Sequence, residues 1–211
     1  MAGCVTYEDQ RNKLIESLDE SERSYLVGKY SVQCKANSSG TKCGQPFNSM
    51  SVYYTATGEL EYSDRFSSVR GNMFGADTSY DIIDSKKEEK GYYFCRILPA
   101  GAYSLFTIKY WNFAGGGSGY YLDEKDQFDI PFSLVAKKIT VLDHVKLTTD
   151  MGENIFGLDL AVPGNVELSS LTENEIQLAL EKCPEAARGY ELLNQNIWEK
   201  HYESSFVRSK N

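Results

Sequence analysis

The stretch Gly91–Trp111, GYYFCRILPAGAYSLFTIKYW, decides how the rest of the chain reads. Aromatic and β-branched residues crowd both halves, and such residues fit a pleated, half-buried surface. Between the halves stands Pro99-Ala100-Gly101. Proline presets φ and glycine permits φ > 0, so the tripeptide marks a tight connection. The expectation is a strand over Tyr92–Leu98, a turn, and a second strand over Tyr103–Trp111.

Working outward, more strands appear. In FDIPFSLVA (128–136), Phe128, Ile130, Phe132 and Leu134 recur at period two. Pro131 lacks an N–H and restricts that strand to an edge or a bulge. KKITVLDHVKLTT (137–149) reads as a strand pair or one long bulged strand, and IFGLDLAV (155–162) as a last strand. Upstream, YLVGKYSVQC (25–34) alternates like a strand, KANSSGTK (35–42) is turn chemistry, and TATGE separates two strands within 50–66. After residue 165 the pattern changes. SLTENEIQLALEK (170–182) carries a capping box, Thr172 with Glu175 three residues on. Pro184 interrupts, and EAARGYELLNQNIWEKHY (185–202) reads as a second helix with Gly189 as its weak point. VTYEDQRNKLIESLDESERS (5–24) is polar, with Leu14, Ile15 and Leu18 as one apolar stripe. The class is therefore α+β, mostly β. Residues 1–24 form a tether or short helix, 25–165 an antiparallel β-sandwich, and 166–211 C-terminal helices packed on it.

Composition excludes several partners. The 211 residues carry a net charge of −8. Nucleic-acid binders need a basic stripe to displace counterions. The acidic balance also argues against electrostatic docking on anionic lipid. No apolar run approaches the ~20 residues that span a bilayer as a helix.

Besides Cys4 there are Cys34, Cys43, Cys95 and Cys183, which can pair in three ways. Cys34 and Cys43 bracket the polar loop; closing it staples a hairpin and stabilises by roughly 2–3 kcal/mol in the chain-entropy picture. Joining Cys95 to Cys183 pins the C-terminal helices to the sandwich. Four reduced cysteines, two of them buried as small apolar groups, are the other reading. The chain lacks a Cys-x-x-Cys pair, and neither histidine lies near a cysteine in sequence, so a zinc site is not expected.

Candidate chemistry is sparse. Any Ser/His/Asp or Cys/His device has to use His144 or His201. His144 reads as a packed or surface strand residue, and His201 as a helix-end residue. AGGGSG (114–119) is followed by Tyr-Tyr-Leu where a P-loop needs Lys and Ser or Thr. Asp123, Glu124, Asp126 and Asp129 form an acidic loop without EF-hand spacing. Tyr120 and Tyr121 beside the glycine-rich loop, with Trp111, are the candidate ligand-binding residues, because exposed aromatics serve sugars and peptides alike. No catalytic, cofactor-binding or metal-ligating residue is assigned.

Two resemblances add an address. Ala2-Gly3-Cys4 resembles the end of a bacterial lipobox, with Met1 where Leu is usual. That resemblance implies lipidation of Cys4, an upstream signal region, and, with Val5 and not Asp following, the outer membrane. From Tyr25 to Trp198 the chain resembles uncharacterised proteobacterial lipoproteins with an immunoglobulin-like or prealbumin-like β-sandwich. ILPAGAYSLFTIKYW, FDIPFSLVAKKITVLDHVKL and TENEIQLALEKCPEA carry the likeness. Lys137 stands where a glycine is common and Cys183 where an aromatic is common. The likeness implies fold and address, and no activity.

The expectation is a non-enzymatic, lipid-anchored protein of the bacterial cell envelope, facing the periplasm or the surface and binding an envelope protein or a glycan. The alternatives are a carbohydrate-binding module using the loop aromatics, or an envelope hydrolase in which a histidine meets a nucleophile or carboxylates.

Overall fold

In chain order the protein runs α1 (Tyr7–Ser17), β1 (Arg23–Cys34), β2 (Asn48–Ala56), β3 (Ser63–Ser67), β4 (Ile82–Asp84), β5 (Glu89–Pro99), β6 (Gly101–Asn112), β7 (Ser118–Tyr121), β8 (Ile130–Leu134), β9 (Lys138–Glu153), β10 (Asp159–Ser169), α2 (Glu173–Leu180), β11 (Glu191–Asn194) and β12 (Val207–Ser209). These elements belong to a computed structural model that describes residues 7–34, 48–58, 60–68, 80–84, 86–87, 89–112, 118–153 and 159–209. The protein is mostly β, with two α-helices and two sheets among the described residues.

Pro99-Ala100-Gly101 joins the two sheets instead of closing a hairpin. β5 lies in a seven-stranded sheet of order β12-β10-β9-β1-β5-β4, with β11 also on β9. β6 lies in a five-stranded sheet of order β3-β2-β6-β7, with β8 also on β6. The Tyr103 hydroxyl donates to the Pro99 carbonyl at 2.9 Å and ties the corner. β1 and β2 likewise lie in different sheets, so the loop expected to join a hairpin joins the two layers. Cys34 ends β1; its side chain and Cys43 lie outside the described residues, as does Cys4.

The larger sheet is mixed, which departs from the expected antiparallel arrangement. β1 is antiparallel to β5 but parallel to β9, and β11 and β12 run parallel to β9 and β10. A parallel pair needs a long crossover, and here the whole second sheet lies between β1 and β9 in sequence. β9 is one long strand with a bulge: Val27 faces Val141, but Lys29 faces His144, so Gly28 meets two residues.

The inner faces share one buried cluster. Leu26, Tyr30, Phe94, Leu98, Leu142 and Val145 of the larger sheet meet Val52, Tyr54, Phe66, Tyr103, Leu105, Ile130 and Phe132 of the smaller. Phe66 and Phe94 meet across the layers in a tilted pair with ring centroids 4.6 Å apart. Each such side chain contributes roughly 2–3 kcal/mol by leaving water. The period-two reading of 128–134 holds, since Phe128, Ile130, Phe132 and Leu134 are all buried. Pro131 sits on β8, which pairs with β6 alone among the described strands, so it removes no ladder bond on that outer side. Lys137 adopts φ 58° in the turn before β9, the left-handed region that glycine fills most readily.

The C-terminal region differs most from expectation. α2 forms behind its capping box, with Thr172 Oγ1 accepting from the Glu175 amide and the Glu175 carboxylate accepting from the Thr172 amide. The second helix does not form. Gly189 has φ 86° and Asn196 φ 46°, both incompatible with helix continuation. Residues 185–202 instead make two 3-10 turns and β11. The reason lies in the sheet: β10 pairs with β9 only as far as Ser169 opposite His144, and β11 covers the remaining edge from Lys138 to Val141. β10 also crosses the expected boundary at residue 165.

On the outer face of the larger sheet, α2 covers Tyr25, Val27, Tyr93, Ile139 and Val141 with Ala179 and its neighbours. Cys95 and Cys183 are disulfide-bonded there, 88 residues apart in sequence, fastening the end of the helix to β5.

Candidate functional site

A buried cluster of charges lies at the seam where β3 faces β5. Asp64 is 1% exposed, at a core position between Tyr62 and Phe66. Arg96, between Phe94 and Leu98, donates to Asp64 Oδ2 at 3.0 Å, to the Tyr54 hydroxyl at 2.8 Å and to the Arg65 carbonyl at 2.8 Å. Its guanidinium lies 4.3 Å over the Phe66 ring. The hydroxyls of Tyr54 and Tyr62 donate to the same Oδ2 at 3.1 and 3.2 Å, and the Arg65 amide donates to Oδ1 at 2.7 Å. Burial works against the Arg96 charge, but Tyr54 and Asp64 outweigh it and hold the group above its ordinary range. Burial pushes Tyr54 up to about 12 and Tyr62 higher still.

Helix α1 closes this seam. Arg11 reaches Asp64 Oδ2 at 2.6 Å, Leu14 packs on the shared core, and the Tyr7 ring meets Tyr53 edge-on at 6.0 Å with the Arg65 guanidinium 5.0 Å away. Within the segment expected as tether or helix, Tyr7–Ser17 is therefore a docked helix. Arg23 Nη2 donates to the Leu18 carbonyl at 3.1 Å and satisfies an orphan acceptor beyond its C-terminus.

A second polar cluster lies on the outer face of the larger sheet, beside the N-terminal turn of α2. His144 is 8% exposed, with Nε2 2.7 Å from Ser31 Oγ and Nδ1 3.2 Å from Ser169 Oγ. Ser31 Oγ also lies 2.7 Å from Glu89 Oε1. A carboxylate only accepts, so Ser31 donates to Glu89 and accepts a hydrogen bond from the Nε2–H of His144, while Nδ1 accepts from Ser169. Burial, with Lys29 and Lys146 nearby, lowers the imidazole to about 3 and keeps it neutral. Both lysines are themselves paired: Lys29 with Glu175 at 3.0 Å, which also ties α2 down, and Lys146 with Glu167 at 2.6 Å. A serine nucleophile needs the reverse order, with a bare Nε2 taking the hydroxyl proton. His201 is exposed and far along the chain from this cluster.

Asp143, in the bulge at φ 69°, is 1% exposed. The backbone of Ile197 and of Leu171 lies near its carboxyl and favours the charged form. Its Oδ2 has no hydrogen-bond partner among the described residues. Burial outweighs that influence and raises the carboxyl to about 6.

The aromatics singled out from sequence lie on the neighbouring strands β6 and β7. Tyr120 and Tyr121 are 39% and 52% exposed, on the short edge strand β7. Consecutive strand residues face opposite sides of a sheet, so the two rings do not build one flat platform. Tyr121 pairs with Lys109, whose Nζ lies 4.6 Å over its ring. Trp111 stands opposite Gly119 in the ladder, and its side chain lies outside the described residues. In the acidic loop, Glu124–Asp126 is a 3-10 turn and Asp129 accepts from Ser104 Oγ. Among the described residues no three of His, Cys, Asp or Glu gather closely enough to hold a metal ion.

Sequence reading missed Arg11, Asp64 and Arg96. The available signal was a charge at a core position: Tyr62-x-Asp64-x-Phe66 and Phe94-x-Arg96-x-Leu98 each put an ionisable group between buried aromatic or aliphatic neighbours.

No family model matches the chain, and no curated protein matches it. Among solved structures, a leucine-rich repeat protein from Bacteroides thetaiotaomicron VPI-5482 is similar at 12% identity and a TM-score of 0.31, over 62% of this chain and 14% of that one. The chain thus spans about a seventh of that protein, and a likeness this low assigns neither fold nor activity.

Proposed function

We propose that the protein is a non-enzymatic binding or structural domain of the bacterial cell envelope, lipid-anchored through Cys4 at the outer membrane. The observation that supports a binding or structural role over hydrolysis is the order of protons around His144. Both ring nitrogens are engaged, Glu89 accepts the Ser31 hydroxyl's hydrogen bond, and the imidazole is held neutral. The anchor reading rests on Ala2-Gly3-Cys4. Helix α1 changes what that anchor would mean. From Cys4 to Tyr7 the backbone reaches at most about 11 Å, so a docked α1 holds the body close to the bilayer and not at the end of a long tether.

The finer fold reading is a prealbumin-like sandwich in preference to an immunoglobulin-like one. Its support is the strand order β5-β1-β9-β10 facing β3-β2-β6-β8. An immunoglobulin constant domain groups its strands as ABED and CFG, without this pairing of the first strand to both β5 and β9.

Metabolic labelling with a palmitate analogue tests the anchor. Full-length protein incorporates label and fractionates with outer membranes, and Cys4→Ala does neither; an unlabelled wild type ends the reading. The glycan alternative draws support from Tyr121, exposed beside Lys109. A glycan array with a signal lost in Tyr121→Ala would favour it.

A further inference from the structure

The contacts of α1 fall on one face at fixed spacing. Tyr7, Arg11 and Leu14 stand at i, i+4 and i+7, and each meets a different part of the seam: Tyr7, still 36% exposed, lies on the Tyr53–Arg65 surface, Arg11 reaches the Asp64 oxygen, and Leu14 packs against the apolar core. This is how a groove reads a bound helix, through anchors at i, i+3, i+4 and i+7. We propose that the seam between β3 and β5 is a helix-binding groove, occupied in cis by α1, and that a partner helix carrying the same aromatic, arginine and leucine anchors exchanges with it.

Three observations make α1 an exchangeable occupant and not a fixed part of the core. First, the charge on Asp64 is already matched by Arg96 at 3.0 Å, with Arg65 adjacent in sequence. Removing one partner of a buried pair is severe when it strands the other. Withdrawing Arg11 strands nothing, because Asp64 keeps Arg96, two tyrosine hydroxyls and the Arg65 amide. Second, α1 contributes no strand to either ladder; Tyr7, Arg11 and Leu14 meet the body through side chains, and the backbone is held at its C-terminal end by Arg23, which donates to the Ile15 and Leu18 carbonyls. Third, it has 11 residues, and helices shorter than about 12–15 residues are marginal on their own. Its helicity depends on the groove, so leaving the groove and unwinding are one event.

The partner class follows from the cis occupant: a short amphipathic helix with an arginine four residues after an aromatic and a leucine three residues after the arginine. It competes against a tethered ligand whose effective concentration is on the order of millimolar. Exchange is therefore slight in the wild type and is released when α1 is weakened or pulled away. The inference rests on the binding reading and not on the anchor. An unlabelled Cys4 leaves it standing, and a failed titration leaves the anchor standing.

The probe is a fluorescent synthetic peptide of residues 5–20, titrated into the full chain and read by anisotropy. Full-length Arg11→Ala,Leu14→Ala protein binds it at least tenfold more tightly than wild type does, and the peptide carrying the same two substitutions does not bind. Equal affinity for both proteins, or no binding to a variant whose circular dichroism matches wild type, overturns the proposal. Should the double variant misfold, Arg11→Gln takes its place with the same readout. Hydrogen exchange on the wild type needs no variant. Amides of Tyr7–Ser17 exchange at least a hundredfold faster than those of β1 and β9; exchange of α1 only together with those strands overturns the proposal.

Discussion

Asp143 and His144 are consecutive in the β9 bulge, yet they are displaced in opposite senses. Burial raises the carboxyl to about 6 and lowers the imidazole to about 3, so both are biased to their neutral forms. Between pH 4 and 6 the folded state holds the Asp143 proton that the unfolded chain has released, so this group favours folding less as pH rises. Between pH 6.5 and 3 the unfolded chain binds a proton that folded His144 refuses, so this group favours folding less as pH falls. The two slopes oppose one another from about pH 4 to 6. Asp143→Asn, tolerated at positive φ, raises stability at pH 7.5 by about 1–2 kcal/mol and leaves it unchanged at pH 4. His144→Gln flattens the acid loss below pH 6. Urea titrations across pH 4–8 measure both, and parallel profiles for wild type and the two variants contradict the assignment.

Arg96 and Arg11 meet the same oxygen but are not equivalent. Arg96→Ala leaves Asp64 with only the part-exposed Arg11 and opens a gap beside Phe66, and costs about 3–5 kcal/mol. Arg11→Ala removes a part-exposed pair and costs about 1 kcal/mol or less. Denaturant midpoints separate the two; equal losses contradict the view that Arg96 is the balancing charge.

The Cys95–Cys183 bond closes a loop whose ends are 88 residues apart. In the chain-entropy picture that closure stabilises by about 4–5 kcal/mol. Cys183→Ser lowers the thermal midpoint accordingly and exposes the apolar face under α2 to dye binding, while β9 and β10 keep their amide protection. Mass spectrometry before and after reduction establishes the bond in the isolated protein.

Gly28 faces the bulge where no side chain fits. A Cβ there meets Phe94 Cζ at 2.7 Å and the Asp143 carbonyl oxygen at 2.8 Å. Neither is the end of a flexible chain, so Gly28→Ala costs about 1–3 kcal/mol. The opposite change suits the turn before β9. Lys137 holds φ 58°, and Lys137→Gly stabilises by roughly 0.5–1 kcal/mol by removing left-handed strain. Thermal melts of the two variants shift in opposite directions.

Local patterns in the chain determined much of what is built here. Period-two apolarity in 128–134, the Thr172–Glu175 box and the edge proline at 131 each depend on geometry within a few residues, so they were readable without a fold. Cys95 with Cys183 was one of the pairings the count allowed. Partnership between strands was not readable in this way. Pro99-Ala100-Gly101 looks the same whether it turns a hairpin or passes the chain from one sheet to the other, because a turn's dihedrals say nothing of which edge lies beyond. The stretch 185–202 has helical spacing, yet the open edge of β9 drew residues 191–194 into the sheet. The seam shows the limit most plainly. Asp64 and Arg96 were missed although each is a charge at a core position, and their meeting joins residues 32 apart in sequence, with Arg11 a further 53 residues before Asp64; only packing the two sheets and α1 together brings those charges within hydrogen-bonding distance.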